Sequence, residues 1–195
     1  MKVLFLDIDG VLNHSDTRHN VAPSDAEPLP LPIAPECMAR LNRLVAETSA
    51  QIVISSSWRN FARSQRQDLG HALVRQGLIA EVIGETPDLP NDQTWLANWQ
   101  ARKGASFPFE QLERGWEIAE WLAAHPEVTT FVILDDCSDM DVLKPWLVLT
   151  HPNEGLADPD VERAKWLLER SAEGLQAARA IALGCTPDAR AISPA

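Results

Sequence analysis

Four aspartates and a serine stand where short apolar runs end. Val3, Leu4, Phe5 and Leu6 run into Asp7 and Asp9, and Gly10 follows at once. Ile52, Val53 and Ile54 run into Ser55, Ser56 and Ser57. Phe131, Val132, Ile133 and Leu134 run into Asp135 and Asp136. Short β-branched or apolar runs of this kind read as strands buried on both faces. In an open α/β sheet, ligands bind at the carboxyl edge where such strands end. Strand side chains alternate between faces, so Asp7 and Asp9 can share a site only if the backbone leaves the strand at Ile8. Gly10 makes that exit cheap. Clustered carboxylates repel unless a cation or a shared proton relieves them. An all-oxygen ligand set suits Mg2+ better than zinc. The plainer reading of Asp7-Ile8-Asp9-Gly10 is a simple turn.

The elements between these runs must carry them to one edge. After Asn13 a proline-punctuated segment, 14–34, reads as a flap or as a low-complexity linker, since Pro23, Pro28, Pro30 and Pro32 forbid a long helix or a central strand. Pro35 opens a helix to about Ala50, with Met38, Leu41, Leu44 and Val45 on its apolar face. A second strand covers 51–54. The next helix has a serine N-cap, an apolar face of Leu69, Leu73 and Val74, and Gly77 at its end. Residues 78–83 read as a third strand stopped by Gly84. Segment 86–109 reads as a small insertion with one helix near 93–100. There Trp95 and Trp99, one turn apart, form a packing face or a substrate platform. A helix over 110–124 presents Leu112, Trp116, Ile118, Ala119, Trp121 and Leu122. Strands over 130–134 and 146–149 follow, then a helix capped by Asp158 and running to about Arg170. The remainder, 171–195, reads as a helical extension fraying from Pro187. Strands alternating with helices imply a parallel, doubly wound α/β sheet.

Composition narrows the classes. The 195 residues suit one domain with a small insertion, here 1–170 plus the extension, and 45% hydrophobic content suits a globular fold. No apolar run approaches a membrane span, and the N-terminal run lacks the pattern of a secretory signal. Three scattered cysteines, Cys37, Cys137 and Cys185, argue against a disulfide framework or zinc cluster, so a cytoplasmic location is expected. The net charge of −11 lowers the expectation of nucleic-acid binding without excluding it, because charge can be distributed unevenly.

In order along the chain, the strings DID (Asp7, Asp9), VISSSWR (Ser55), RGWEIAEWL (Arg114) and VILDDCSDM (Asp135, Asp136) resemble the four motifs of the haloacid dehalogenase superfamily. ISSSWR, RGxEIxxWL and ILDDxSDM are most similar to the small domains of Swiss Army Knife RNA-repair proteins. The resemblance spans about Met1 to Leu168. It implies a Rossmann-like three-layer sandwich with a minimal cap. It also implies a Mg2+-dependent phosphatase in which Asp7 is the nucleophile and Asp9 the general acid and base. Ser55 and Arg114 would bind the phosphoryl group, and Asp7, Asp9 (through its carbonyl), Asp135 and Asp136 would hold the metal. Ser56 is the alternative to Ser55, and Arg102 and Lys103 lie near enough to compete with Arg114. Asp139 and Asp141 read as helix caps, Cys137 as a small buried neighbour, and His151 as part of a turn. Arg59 either holds substrate or pairs with an acid. The partner expected is a phosphorylated substrate, a small phosphoester or a polynucleotide end. A receiver-type phospho-acceptor domain uses similar groups, but in a different order along its strands. A phosphate-binding module without catalysis would be marked by loss of the acid at Asp9.

Overall fold

The computed structural model describes residues 1–20, 31–103, 113–170 and 172–182. Five parallel strands, β1 (Lys2–Leu6), β2 (Gln51–Ile54), β3 (Val82–Glu85), β4 (Thr130–Asp135) and β5 (Leu147–Leu149), form one sheet in the order β3-β2-β1-β4-β5. Helices α1 (Ser15–Asn20), α2 (Pro35–Thr48), α3 (Trp58–Ser64), α4 (Leu69–Arg75), α5 (Gln93–Lys103), α6 (Arg114–Ala124), α7 (Asp158–Leu168) and α8 (Ala172–Ala182) connect and flank the strands. This is the Rossmann-like α/β architecture expected. β1 lies at the centre, and Val3, Leu4, Phe5 and Leu6 are fully buried. It is unalternating in hydropathy because both of its faces are covered.

Strand order reverses at β1: the chain first builds outward through β2 and β3, then returns to lay β4 on the other side. Such a switch point opens a crevice at the carboxyl ends of the two strands that flank it. The register fills that crevice. Leu6 pairs with Leu134 on one side and with Ile54 on the other, so the residues that follow, Asp7, Asp135 and Ser55, emerge next to one another. Backbone bonds carry the alignment past the strands, with the Asp7 N–H donating to the Leu134 carbonyl (3.0 Å) and the Ser55 N–H to the Leu6 carbonyl (2.8 Å).

Several boundaries differ from the sequence reading. The third strand runs Val82–Glu85 and passes through Gly84, instead of ending there. A Cβ on Gly84 would lie 3.4 Å from Trp121 Nε1, so the glycine marks helix–sheet packing and not a stop. Residues 78–81 precede the strand, and Ile79 is exposed. Val74 also faces solvent, leaving Leu69, Ala72 and Leu73 as the buried face of α4. Trp146 closes a 3-10 turn before β5 and does not belong to the strand. In α7 the cap position is Ala157, whose N–H donates to the Asp160 carboxylate (2.9 Å); Asp158 is already helical. α6 begins at Arg114, because Glu113 is extended. Ser57 stands at the N-cap of α3 without a capping bond; the Ser56 hydroxyl accepts from the Trp58 N–H instead, at 3.4 Å.

Trp95 packs with Leu89, Leu96 and Trp116 and donates its indole N–H to Glu120 (2.8 Å), which makes it a packing residue. The side chains of Trp99, Arg102 and Lys103, residues 21–30 of the flap, 104–109 of the insertion, 110–112 of the expected helix with Leu112, and the tail from 183 with Cys185 lie outside the described residues. α8 lies against α6 and contributes Leu175, Ala177 and Ala178 to the core. No helix among the described residues is long and apolar enough to cross a membrane.

Candidate active site

Beyond β1 the chain turns within four residues. The Val11 and Leu12 N–H groups both return to the Ile8 carbonyl, and Gly10 takes φ +72°. The turn buries Ile8 and leaves Asp7 and Asp9 at the crevice, as the glycine implied. Two further groups pin it. Asn13 accepts from the Gly10 N–H (2.9 Å) and donates to Asp9 Oδ1 (2.8 Å). Thr150, the residue after β5, donates its hydroxyl to the Gly10 carbonyl (2.7 Å). Asp9 Oδ2 accepts the indole N–H of Trp58 at 3.0 Å. Both oxygens of this carboxylate are therefore held from the protein side.

Arg114 reaches the same crevice from the first turn of α6. Its guanidinium donates to the Ser55 carbonyl and stands 3.3 Å from Asp135 Oδ2 and 3.8 Å from Asp7 Oδ1. Helix α6 can come this close because residue 115 is glycine: a Cβ there would fall 2.3 Å from the Met140 carbonyl. The Gly115 N–H donates to the Asp139 carbonyl (3.1 Å), and the Asp139 carboxylate accepts from the Arg114 N–H (3.4 Å). Asp139 thus caps α6, and Asp141, opening the next 3-10 turn, donates its N–H to Glu113.

Among the described residues the site is electrostatically an anionic cluster beside the Arg114 guanidinium. Burial pushes the Asp7 carboxyl above its usual range, against the pull of Arg114 and a hydrogen bond from Ser56. Burial and then the Asp7 charge push Asp135 up to about 8. Burial disfavours the Arg114 charge, but Asp135 and Asp7 hold its pKa above the ordinary value. Asp135 Oδ2 is fully buried and accepts no hydrogen bond; Arg114 Nε lies within ion-pair distance but without hydrogen-bond geometry. A buried carboxylate oxygen of this kind fits a cation ligand. Asp135, Asp136 and Cys137 bring three ligand atoms within 4.8 Å of one another. The Cys137 thiol is pushed up to about 11, by burial first and then by Asp136 and Asp135. Cys137 is exposed and not the buried neighbour expected, and the carboxylates beside it suit a hard divalent cation.

The structure thus brings Asp7, Asp9, Ser55, Arg114, Asp135 and Asp136 to one crevice. The two serines have different surroundings. The Ser56 hydroxyl bonds Asp7, whereas the Ser55 hydroxyl is buried without a protein partner. Arg59 forms a buried pair with Glu117, as one of its two readings held. His151 forms a bridge with Gly155 and accepts the Asn153 N–H, so it belongs to a turn. Asn13, Trp58 and Thr150 were not singled out as site residues. Asn13 lies four residues from Asp9, and Thr150 ends an apolar run, but nothing local marks Trp58.

Asp136 packs directly on Gly10. A Cβ at that position would lie 2.2 Å from Asp136 Oδ2 and 2.6 Å from its Cβ, and the left-handed backbone adds strain. Gly10→Ala is expected to displace Asp136, weaken divalent-cation affinity about tenfold or more, and cost roughly 1–2 kcal/mol. Isothermal titration with Mg2+ and a thermal melt on the same sample check both effects.

A switch-point crevice with an acid pair after β1, a second pair after β4 and a basic residue opening α6 defines a phosphohydrolase domain of the haloacid dehalogenase type. The chain belongs to the family described as the HAD domain in Swiss Army Knife RNA repair proteins, whose model matches residues 3–161. Comparison with curated proteins and with solved structures gave no match.

Proposed function

We propose that the chain is a Mg2+-dependent phosphomonoesterase working through Asp7, with phosphorylated polynucleotide ends as its substrate and the cytoplasm as its location. One observation carries the reading: a buried aspartate, Asp7, faces an arginine across the crevice while a second aspartate, Asp9, is held on both oxygens at its rim.

An Asp7 oxygen attacks phosphorus as the bond to the leaving oxygen breaks, and Asp9 gives that oxygen its proton. Asp9 then takes a proton from water, whose oxygen attacks phosphorus and releases phosphate and Asp7. Arg114 offsets charge on the transferring group. The unpartnered Ser55 hydroxyl donates to a phosphoryl oxygen, and Ser56 orients Asp7. Asp7, the Asp9 carbonyl, Asp135 and Asp136 would hold Mg2+, which supplies charge neutralisation between carboxylate and phosphate. The family's RNA-repair setting supports a polynucleotide end, while the net charge of −11 weighs against an extended nucleic-acid contact.

The test is phosphate release from para-nitrophenyl phosphate, nucleotides, and 3′- and 5′-phosphorylated oligonucleotides, each with Mg2+ or EDTA. Metal-dependent release, greatest on one oligonucleotide end, is expected; no release from any substrate overturns the reading. The metal should also bind the folded state alone. Mg2+ at about 100 times its Kd is expected to add about 2.7 kcal/mol of stability. At roughly 2–4 °C per kcal/mol for a chain of this size, the melt in Mg2+ should lie about 5–11 °C above the melt in EDTA.

A further inference from the structure

Phe61 is 48% exposed one turn after Trp58 on α3, a position the core does not use. The two rings meet edge to face, with centroids 5.6 Å apart and planes at 87°. Together with Asp9 and Ser57 they line an open cavity of about 270 Å3. Trp58 is also the donor to Asp9 Oδ2, so the aromatic wall begins at the carboxylate that must protonate the leaving oxygen. The cavity lies just below the size range of drug-sized pockets, about 300–1,000 Å3, which suits one ring system. Among the described residues no basic side chain lines it, so these offer nothing to a second phosphate. Trp58 is partly buried against the core and Phe61 is exposed, and such a pair can stack on a flat partner.

We propose that Trp58 and Phe61 form a subsite for a planar ring on the leaving group, the nucleobase of the nucleotide that carries the scissile phosphate. The inference rests on the phosphatase reading above and adds which part of the substrate is recognised. The preference it creates is for a base at the terminal residue, whatever that base is, since every base has a stacking face.

The experiment compares matched pairs that differ only in the base: adenosine monophosphate against ribose 5-phosphate, and oligonucleotides whose terminal phosphate sits on an ordinary or an abasic residue. Wild type is expected to favour the base-bearing member of a pair by about fivefold or more in kcat/KM. In Phe61→Ala and Phe61→Leu that ratio should fall toward one, and in Phe61→Tyr it should be kept. Phe61→Leu guards against a folding defect, because it retains apolar bulk without a ring. Calorimetric binding of adenosine monophosphate and ribose 5-phosphate to Asp7→Asn, with and without Phe61→Ala, reads the same ratio without turnover. A wild-type ratio near one, or a ratio that Phe61→Ala leaves in place, overturns the subsite. Absence of phosphate release overturns the phosphatase reading alone, and the binding ratio then decides the subsite. A preference seen with both pairs assigns the subsite to nucleotides in general, and one confined to oligonucleotides assigns it to polynucleotide ends.

Discussion

Asp7→Asn is expected to abolish phosphate release, with kcat lower by at least about 10^4, while making the metal-free protein more stable. Under the proposed mechanism the activity loss follows from removing the oxygen that attacks phosphorus. The stability gain follows from the charges. Asp135 is fully buried and its carboxyl is pushed up to about 8, by burial first and by the Asp7 charge second. Asp7 is raised as well, again chiefly by burial. A carboxyl whose folded pKa lies above its unfolded value holds a proton that the unfolded chain releases. Stability therefore falls as pH rises from the ordinary carboxylate value near 4 toward 8, and the protein without metal should melt lower at pH 8 than at pH 5. The asparagine removes one of the two like charges, so the slope should flatten and the metal-free melt at pH 8 should rise by a few degrees. Phosphate release and thermal melts in EDTA across pH 5–8 check the two halves. A variant that loses activity and also melts lower would show that Asp7 contributes to the fold through Arg114 more than it costs.

Arg59→Ala is expected to cost about 3–5 kcal/mol, or roughly 6–20 °C in melting temperature. Arg59 and Glu117 are both buried and meet at 2.5 Å. Arg59 also donates to the Ser56 carbonyl (3.1 Å) and the Pro87 carbonyl (3.3 Å), and Glu117 accepts the Leu89 N–H (3.3 Å). Burial pushes the Glu117 carboxyl up, and Arg59 pulls it back. Truncating the arginine leaves a buried carboxylate without its counter-charge, which is the costly case, whereas replacing both partners with apolar residues can be neutral. Arg59→Met with Glu117→Leu should thus recover most of the loss. Arg59→Lys should not, because one ammonium cannot satisfy three acceptors in this planar arrangement. Function is tied to the same pair. Arg59 follows Trp58, which holds Asp9, and Glu117 lies one turn after Arg114. The pair fastens α3 to α6 and with them the two sides of the crevice. Below the melting temperature Arg59→Ala should lower kcat more than it raises KM, as measured on para-nitrophenyl phosphate.

Most of the sheet and most of the residues gathered at the candidate site are legible in the sequence. Apolar runs ending in acid or serine mark strand termini, and parallel connections put those termini on one edge. The aspartates at 7, 9, 135 and 136 could therefore be placed together from order alone. Arg114 was harder, since an arginine at a helix start is usually solvated. What places it is the glycine at 115, read through its contact with Met140. The third strand was misplaced because Gly84 reads locally as a stop, and only the packing of Trp121 shows why a glycine belongs inside the strand.

By itself the sequence determined the fold class, the acidic edge and the order of the motifs, because these depend on local periodicity and on residues adjacent in the chain. Only the tertiary structure decided that Ser56 and not Ser55 bonds Asp7, that Arg59 spends its charge on Glu117, and that Trp58, Asn13 and Thr150 hold the Asp9 turn. Each of those is a hydrogen bond or ion pair whose direction is set by side-chain geometry. Most join residues far apart in the chain, and even the neighbours Ser55 and Ser56 differ only in where the backbone points them.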